Sequence, residues 1–246
     1  MKTYIEFSEP ERYELREGPR YHFELSRRDF VQVLGAGIFI SVAVSPVLAQ
    51  RSREERSINL AKRLHIGADG TITVLTSKVE AGQGSRTQLT QAAAEELHVP
   101  VERIRFIMAD TALVPDDGGT AGSRTTPSSV PAIRKGCAAA RQLLIDTAAS
   151  TFGVAATKLS VSDGKVEGLA ADQKFSYADL ASEKHAPALQ KAIPSEVSIA
   201  GVKEWRVLGT SVPRVAGEDI VTGSHHYPSD IKRPDMLFGA VLRPPS

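Results

Sequence analysis

Two short runs in the first third of the chain alternate apolar and polar residues, which is the pattern of half-buried strands. They cover residues 63–68 and 71–77. Their apolar positions, which would share one face, are Leu64, Ile66, Ile72 and Val74. The runs are joined through Asp69-Gly70, a dipeptide typical of hairpin turns. The pattern therefore predicts an antiparallel pair of strands.

The apolar spacing changes to three and four residues after Gly84, which predicts a helix from Ser85 to Leu97. This helix should end near Pro100, because the residue before a proline avoids helical angles. Residues 103–109 alternate again, which predicts a further strand and completes a β-β-α-β unit. The helix also carries Glu95-Glu96, and we interpret this pair as part of its solvated face rather than as an acid–base pair.

Further along the chain, the apolar spacing predicts a second helix from residue 128 or 129 to Phe152, followed by Gly153 as its C-terminal glycine. Its buried stripe would be Val130, Ile133, Cys137, Leu144 and Ala148. Residues 158–167 indicate a second hairpin, and residues 176–179 indicate the start of a short helix. Strands and two main helices mixed in this way predict an α+β fold.

Composition excludes some classes of function. The 246 residues are 41% hydrophobic and 24% charged with a net charge of +1, which is typical of a soluble globular protein with one or two domains. No basic stripe with interleaved aromatic residues is present, so we expect no nucleic-acid partner. The single cysteine, Cys137, cannot hold an iron–sulfur cluster, and we interpret it as a small buried hydrophobe. The histidines are scattered, which favours packing or surface roles over a metal site.

The N-terminal region contains a candidate export signal. Arg27 and Arg28 lie in the run Ser-Arg-Arg-Asp-Phe at residues 26–30, and an uncharged apolar run follows as far as Ala49. This pattern is typical of a twin-arginine (Tat) signal, in which the two arginines are targeting residues and the folded protein is exported to the periplasm. The alternative is an uncleaved anchor in the inner membrane, formed by residues 30–49.

The first candidate site is the stretch K-V-E-A-G-Q-G-S-R at residues 78–86, between a predicted strand and a predicted helix. Its glycines flank Gln83 and let the backbone approach a bulky group. Ser85 and Gln88 have the spacing of a capping box, and free N–H groups at the helix start suit a phosphate or another anion. The alternative is a strand–turn–helix joint that binds nothing.

The second candidate site is the long polar loop over residues 110–127. Gly118-Gly119-Thr120 and Gly122-Ser123-Arg124 offer backbone N–H groups, hydroxyls and a guanidinium, which are groups that hold a phosphate-bearing cofactor. A solvated surface loop is the alternative. A loop of this length in a compact domain is usually functional or disordered.

The order of these pieces resembles the molybdopterin-binding large subunit of the xanthine dehydrogenase and aldehyde oxidase family, and most closely the isoquinoline 1-oxidoreductase β-subunit type. The matching stretches are the S-R-R-D-F signal, I-G-A-D-G-T-I-T-V-L-T-S-K-V-E-A-G-Q-G-S-R-T, D-T-A-L-V-P-D-D-G-G-T-A-G-S-R-T-T, and V-L-G-T-S-V-P-R-V with V-T-G-S-H-H-Y-P-S-D-I. This resemblance implies an N-terminal fragment of an exported molybdenum hydroxylase, an oxidoreductase that hydroxylates N-heterocycles or aldehydes with oxygen from water.

The resemblance also implies which residues bind the cofactor. Gly82, Gln83 and Gly84 would contact the molybdenum cofactor, with Gln83 near the molybdenum ligands. The remaining residues implied by the resemblance are Ser85, Arg86, Thr87, Gly122, Ser123 and Arg124. No catalytic residue is expected in this chain, because the family's general-base glutamate would lie beyond residue 246. The missing C-terminal part would share the cofactor, and the fragment alone would be inactive.

The implied partners are a small-molecule substrate and a separate small subunit that carries [2Fe–2S] clusters, with a cytochrome c as a candidate electron acceptor. The implied domains are residues 1–49 (N-terminal extension and signal), 50–182 (segment of the molybdopterin-binding domain), 183–204 (linker) and 205–246 (truncated start of an α/β hammerhead domain). The alternative function is a non-catalytic, truncated exported module that only docks a partner subunit.

Overall fold

The structure, a computed structural model, describes residues 63–114, 118–182 and 197–243, and the backbone of Gly37–Ile40. Residues 215–243 belong to one compact unit and the other described residues belong to a second. The predicted linker falls mostly outside the described residues, since residues 183–196 are not among them. The predicted domain boundaries stay predictions.

A four-stranded sheet forms the centre of the second unit. Its strands are β1 (Gly37–Ile40), β2 (Leu64–Gly67), β3 (Ile72–Thr76) and β4 (Ile104–Met108), in that spatial order. The β1–β2 and β2–β3 pairs are antiparallel, and the β3–β4 pair is parallel. The predicted hairpin and the predicted β-β-α-β unit are therefore confirmed. All described side chains of β2 and β3 are buried.

Two helices pack together against one face of this sheet. Helix α1 (Ser85–Leu97) has the predicted bounds, and it ends because His98 adopts the left-handed conformation, with φ 52°. Helix α2 (Val130–Phe152) ends at Gly153, with φ 68°, as predicted. Their shared core includes Leu64, Ile66, Ile72, Val74, Leu89, Ala92, Ala93, Leu97, Phe106, Ile133, Cys137, Leu144 and Ala148. Burial of Cys137 confirms its interpretation as a core residue.

The loop before α2 is shorter than the sequence predicted. Residues Thr125–Ser129 form one π-helical turn that runs directly into α2, where the sequence indicated an irregular loop as far as residue 127. Pro131 lies in the first turn of α2, where its missing N–H costs no hydrogen bond.

A small second sheet packs beside α2. It contains β5 (Ser160–Ser162), β6 (Lys165–Glu167) and β7 (Lys174–Ser176), all antiparallel, and a short helix α3 (Tyr177–Leu180) follows. The predicted hairpin and short helix are confirmed, whereas β7 was not predicted. Ser176 and Asp179 form a capping box at the start of α3. The Tyr177 hydroxyl donates to the Leu97 carbonyl at 2.8 Å and so connects α3 to the end of α1.

The remaining residues are mostly irregular. Residues 197–214, here called the strap, contain only one short 3-10 turn, Val202–Glu204. The unit of residues 215–243 contains helix α4 (Gly217–Thr222) and a 3-10 turn, Pro228–Asp230. Within the described parts of the chain, no helix has both the length and the apolar character needed to cross a membrane. The mixture of sheets and helices confirms the α+β class.

Candidate functional site

Lys78 brings the two candidate loops together. It follows β3 and is only 7% exposed. Its ammonium group donates to the carbonyl oxygens of Gly118 and Gly119 at 3.2 and 2.9 Å. One residue later, the Val79 N–H donates to the Thr120 hydroxyl at 2.9 Å. Two stretches that are 40 residues apart in sequence therefore lie side by side at one end of the sheet.

A second contact joins the same regions on the helix side. The Thr126 hydroxyl of the π-helical turn donates to the Gln88 amide oxygen in the first turns of α1, at 2.6 Å. The predicted candidate residues of the two loops are thus parts of one surface, which we call the loop pair (residues 78–88 and 118–129).

Glu80, which was not predicted as a site residue, organises the first loop. Its carboxylate accepts hydrogen bonds from the backbone N–H groups of Gly82 at 2.8 Å, Gly84 at 3.0 Å and Arg86 at 2.9 Å. It also accepts from the Ser85 hydroxyl at 3.2 Å. The predicted Ser85–Gln88 capping box is therefore wrong: the N-cap is Gly84, and no capping side chain bonds from that position.

The position of Glu80 changes the interpretation of the helix start. Burial by itself raises the pKa of the Glu80 carboxyl, but the N–H groups of Arg86, Gly84 and Gly82 and the Ser85 hydroxyl outweigh it, so that its pKa lies below the usual value. An ionised carboxylate already lies at the positive end of the α1 dipole. This weakens the case for a ligand anion at this position, because the N–H groups of Gly82, Gly84 and Arg86 already donate to Glu80.

Gln83 lies at the exposed tip of the first loop. Its amide nitrogen donates to the Val79 carbonyl at 2.8 Å and to the Ser85 hydroxyl at 3.1 Å, and its amide oxygen accepts from the Ala81 N–H at 2.6 Å. The flanking Gly82 and Gly84 have φ of 103° and 79°, and a Cβ added to either would meet nothing within 4 Å. The loop thus shows a glycine face that is open to a bulky group.

The second loop has a similar character. Gly118 has φ 77° and space around its missing side chain. Gly122 and Ser123 both lie in the left-handed region, at φ 61° and 55°, and the Arg124 N–H donates to the Ala121 carbonyl at 3.3 Å, which defines a type I′ turn. The three predicted residues Gly122, Ser123 and Arg124 are exposed.

Two predicted residues, Ser85 and Arg86, and the neighbouring Ser129 face inward instead, and Ser85 is 2% exposed. The Arg86 side chain is 8% exposed, and its guanidinium donates to the Phe106 carbonyl of β4 at 3.0 Å, so it fastens α1 to the sheet. Ser129 is 1% exposed, and its hydroxyl has no hydrogen-bond partner among the described residues. Arg86 therefore has a structural contact that the sequence did not predict.

The Glu95-Glu96 interpretation is wrong, because the two side chains are 3% and 0% exposed. Glu95 accepts from the N–H groups of three consecutive strap residues: Arg206 at 3.1 and 3.0 Å, Val207 at 2.7 Å and Leu208 at 2.9 Å. Glu96 forms an ion pair with Arg134 of α2 at 2.7 Å. These carboxylates fasten the strap and α2 to α1.

A cavity of about 910 Å³ lies at the other end of α1, between α2 and the strap. It is lined in part by His98, Arg141, Asp146 and Trp205. No residue of the loop pair lines it. We place the candidate site at the loop pair, because the open glycine faces and the predicted polar groups converge there.

Comparisons with known proteins point to one family of cofactor-binding domains. Residues 14–226 match the sequence model of the molybdopterin cofactor-binding domain. The chain is 31% identical over 207 residues to a nicotinate dehydrogenase chain of Pseudomonas putida, covering 84% of this chain and 16% of that protein. It is 28% identical over 261 residues to the β-subunit of isoquinoline 1-oxidoreductase from Brevundimonas diminuta, covering 88% of this chain and 33% of that protein.

A solved structure, that of quinoline 2-oxidoreductase from Pseudomonas putida 86, is 24% identical and has a TM-score of 0.42, covering 52% of this chain and 16% of that one. The family match covers most of the sequence and defines a domain that binds a pterin cofactor. The chain therefore belongs to the molybdopterin-binding proteins of the xanthine dehydrogenase family, which confirms the resemblance found in the sequence. It spans about a sixth and a third of the two curated relatives.

Proposed function

We propose that this chain supplies one part of the molybdenum cofactor site of an oxidoreductase that hydroxylates small N-heterocycles or aldehydes. The observation that carries the proposal is the contact of Lys78 with Gly118 and Gly119, which joins two glycine-rich loops into one surface. Both relatives named above carry N-heterocyclic substrates in their names, which favours that substrate class over aldehydes.

The residues at the loop pair fit a large polar cofactor. The Gly82 and Gly84 faces are open, so a flat ring system can approach the backbone there. The exposed Arg124 guanidinium and the Ser123 hydroxyl are suited to a phosphate group. We therefore assign cofactor contact to Gly82, Gln83, Gly84, Gly122, Ser123 and Arg124. When bound, the cofactor supplies the oxidation–reduction chemistry, and the loop residues bind and orient it.

We propose that protein residues outside this sequence carry electrons out of the site. A [2Fe–2S] cluster requires four protein ligands, typically cysteine thiolates, whereas the sequence has one cysteine and it is fully buried. We propose a separate small subunit as the cluster carrier, with a cytochrome c as a candidate final acceptor.

The experiment that tests this function uses the protein purified from its native host together with the subunits that copurify. We expect stoichiometric molybdenum and pterin in the wild type, and reduced cofactor content or turnover in a Gln83→Ala variant. Gln142→Ala is the matched control, because it removes a half-buried glutamine of α2 that lies outside the loop pair and whose amide nitrogen donates to Asp146 at 2.9 Å. If Gln83→Ala keeps the cofactor content and turnover of the wild type, the first loop is not part of the cofactor site.

The same measurement separates the alternative function. If the wild-type protein contains neither molybdenum nor pterin, the non-catalytic docking module becomes the better explanation. Copurification of a partner subunit without cofactor would then be the positive sign of that module.

We further propose export to the periplasm through the Tat pathway, supported by Arg27 and Arg28 ahead of an apolar run. Most of this region lies outside the described residues, but β1 falls within the apolar run and pairs with β2. Cleavage after residue 49 would remove that strand. Changing both arginines to lysine should retain the protein in the cytoplasm, as measured by fractionation, and N-terminal sequencing of the exported form would show whether β1 is kept. Export of the double variant at the wild-type level would contradict this proposal.

A further inference from the structure

We propose that Glu80 is a positioning residue of the cofactor loop, residues 81–86. Its carboxylate takes the place that a ligand anion would otherwise occupy at the start of α1. The part of this inference that concerns the cofactor rests on the proposed function above. The part that concerns the loop rests on the contacts of Glu80 alone.

The hydrogen bonds of Glu80 have a regular arrangement. One carboxylate oxygen, Oε1, accepts from the N–H groups of Gly82 and Gly84, and the other, Oε2, accepts from the N–H of Arg86 and from the Ser85 hydroxyl. Every second N–H of the loop therefore points at one side chain. The loop winds around the carboxylate, and this fixes the backbone on both sides of Gln83.

Only an ionised carboxylate satisfies all of these donors. A glutamine at this position would keep one accepting oxygen, and it would turn an NH₂ group toward N–H donors at the other. Because charge-assisted hydrogen bonds are about twice as strong as neutral ones, loss of the charge weakens even the bonds that remain. Arg214 of the strap forms a partly exposed ion pair with Glu80, with its guanidinium 3.5 Å from Oε1.

Glu80 also determines which part of a ligand reaches the loop. The N-terminus of a helix normally attracts anions, but here the site is occupied by an internal negative charge. A phosphate brought to the Gly82–Gly84 face would be repelled by this carboxylate. An uncharged ring or a hydrogen-bond donor would not, so we infer that the loop selects the uncharged part of its ligand.

The test begins with hydrogen exchange, measured by mass spectrometry on the purified native-host protein. In Glu80→Ala, the amides of residues 82–86 should exchange about tenfold to a hundredfold faster, which corresponds to the loss of one charge-assisted hydrogen bond. Added formate should restore the slow exchange, because it can occupy the vacated position. Glu102→Ala is the matched control: it removes an exposed glutamate of the same unit and should change neither exchange nor formate response.

A conservative variant keeps the test valid if Glu80→Ala fails to fold. Glu80→Gln should accelerate exchange mainly at Arg86, while Gly82 and Gly84 keep much of their protection. Unchanged exchange in both variants would overturn the inference. Fast exchange that formate does not reverse would also overturn it, because the loop would then depend on something other than a carboxylate at this place.

Cofactor content provides the second readout. If the loop holds the cofactor, Glu80→Ala should lose molybdenum and pterin while the Glu102→Ala control keeps both. Full cofactor content in a Glu80→Ala protein whose loop exchanges fast would overturn the positioning role. Absence of cofactor from the wild type would instead count against the proposed function, and the exchange and formate results would still decide the role of Glu80 in the loop.

Discussion

Replacing Glu95 by glutamine should weaken the attachment of the strap to α1 at a measurable cost in stability. The Glu95 carboxylate is 3% exposed and accepts from three consecutive backbone N–H groups of the strap. Glutamine has nearly the same size, so the change removes the charge and one acceptor without leaving a cavity. Gln91, one turn earlier, holds the same segment by donating to the carbonyls of Val207 and Thr210 at 3.1 and 3.2 Å.

The magnitude follows from the kind of bond that is lost. A hydrogen bond to a charged group contributes about 1.5–3 kcal/mol and a neutral one about 0.5–1.5 kcal/mol, so each of three bonds loses roughly 1 kcal/mol. We therefore expect the free energy of unfolding to fall by about 2–3 kcal/mol, less than the full sum because water can solvate part of a released strap. For a domain of this size that corresponds to a fall in Tm of about 4–12 °C.

Two measurements check this prediction. Thermal unfolding gives the stability change, and hydrogen exchange of a peptide covering residues 205–211 should show loss of protection at Arg206, Val207 and Leu208. Glu102→Gln is the control, because it makes the same chemical change at an exposed position. A Tm equal to that of the control, together with unchanged exchange in the strap, would refute the reasoning.

Two further predictions concern two titratable groups, the half-buried His98 and the buried Cys137. The His98 ring contacts the Val161 carbonyl at 3.3 Å and Arg141 at 2.6 Å, and burial and then the Arg141 charge lower its pKa. Below about pH 6.5 the unfolded chain therefore takes up a proton that the folded chain does not. The free energy of unfolding should fall as the pH falls from about 7.5 to 5.5. The urea midpoint should fall less between the two pH values in His98→Asn than in the wild type; asparagine is chosen because it tolerates the left-handed conformation. An equal fall in both proteins would show that His98 is not the cause of the pH dependence. Burial raises the pKa of the Cys137 thiol. A thiol reagent should therefore label the native protein no faster than the protein unfolds, and it should label the denatured protein at once. Rapid labelling of the native protein would contradict the packing of α2.

The elements that were predicted correctly are those whose local signals agree with one another. Helix α1 follows a glycine and has a helical apolar spacing, and α2 combines that spacing with Gly153 at its end. Strand β7 was not predicted because three residues, Lys174–Ser176, are too few to show alternation, and it exists through its pairing with β6. The π-helical turn was not predicted because Pro127 within it argued for an irregular loop.

The candidate site was predicted only in part. The glycines on either side of Gln83 indicated a backbone that approaches another group, and the structure shows their positive φ and open faces. Lys78 and Glu80 were not recognised, although they lie in the same stretch. Their contacts to Gly118 and Gly119 and to alternate N–H groups of the loop depend on a conformation that spacing alone does not specify.

The mistake about Glu95 and the oversight of Glu80 have one physical cause. A segment without regular structure has backbone N–H groups that must find acceptors, and near a core these cannot all be left to water. Glu80 satisfies Gly82, Gly84 and Arg86, and Glu95 satisfies three residues of the strap that are 111 to 113 positions away. The first set is local and could be recognised as a glutamate followed by glycines two and four residues later. The second set joins distant parts of the chain, and no pattern within α1 distinguishes such a glutamate from a solvated one. The expectation that charged residues on a helix face water therefore fails at Glu95, where α1 borders the irregular strap.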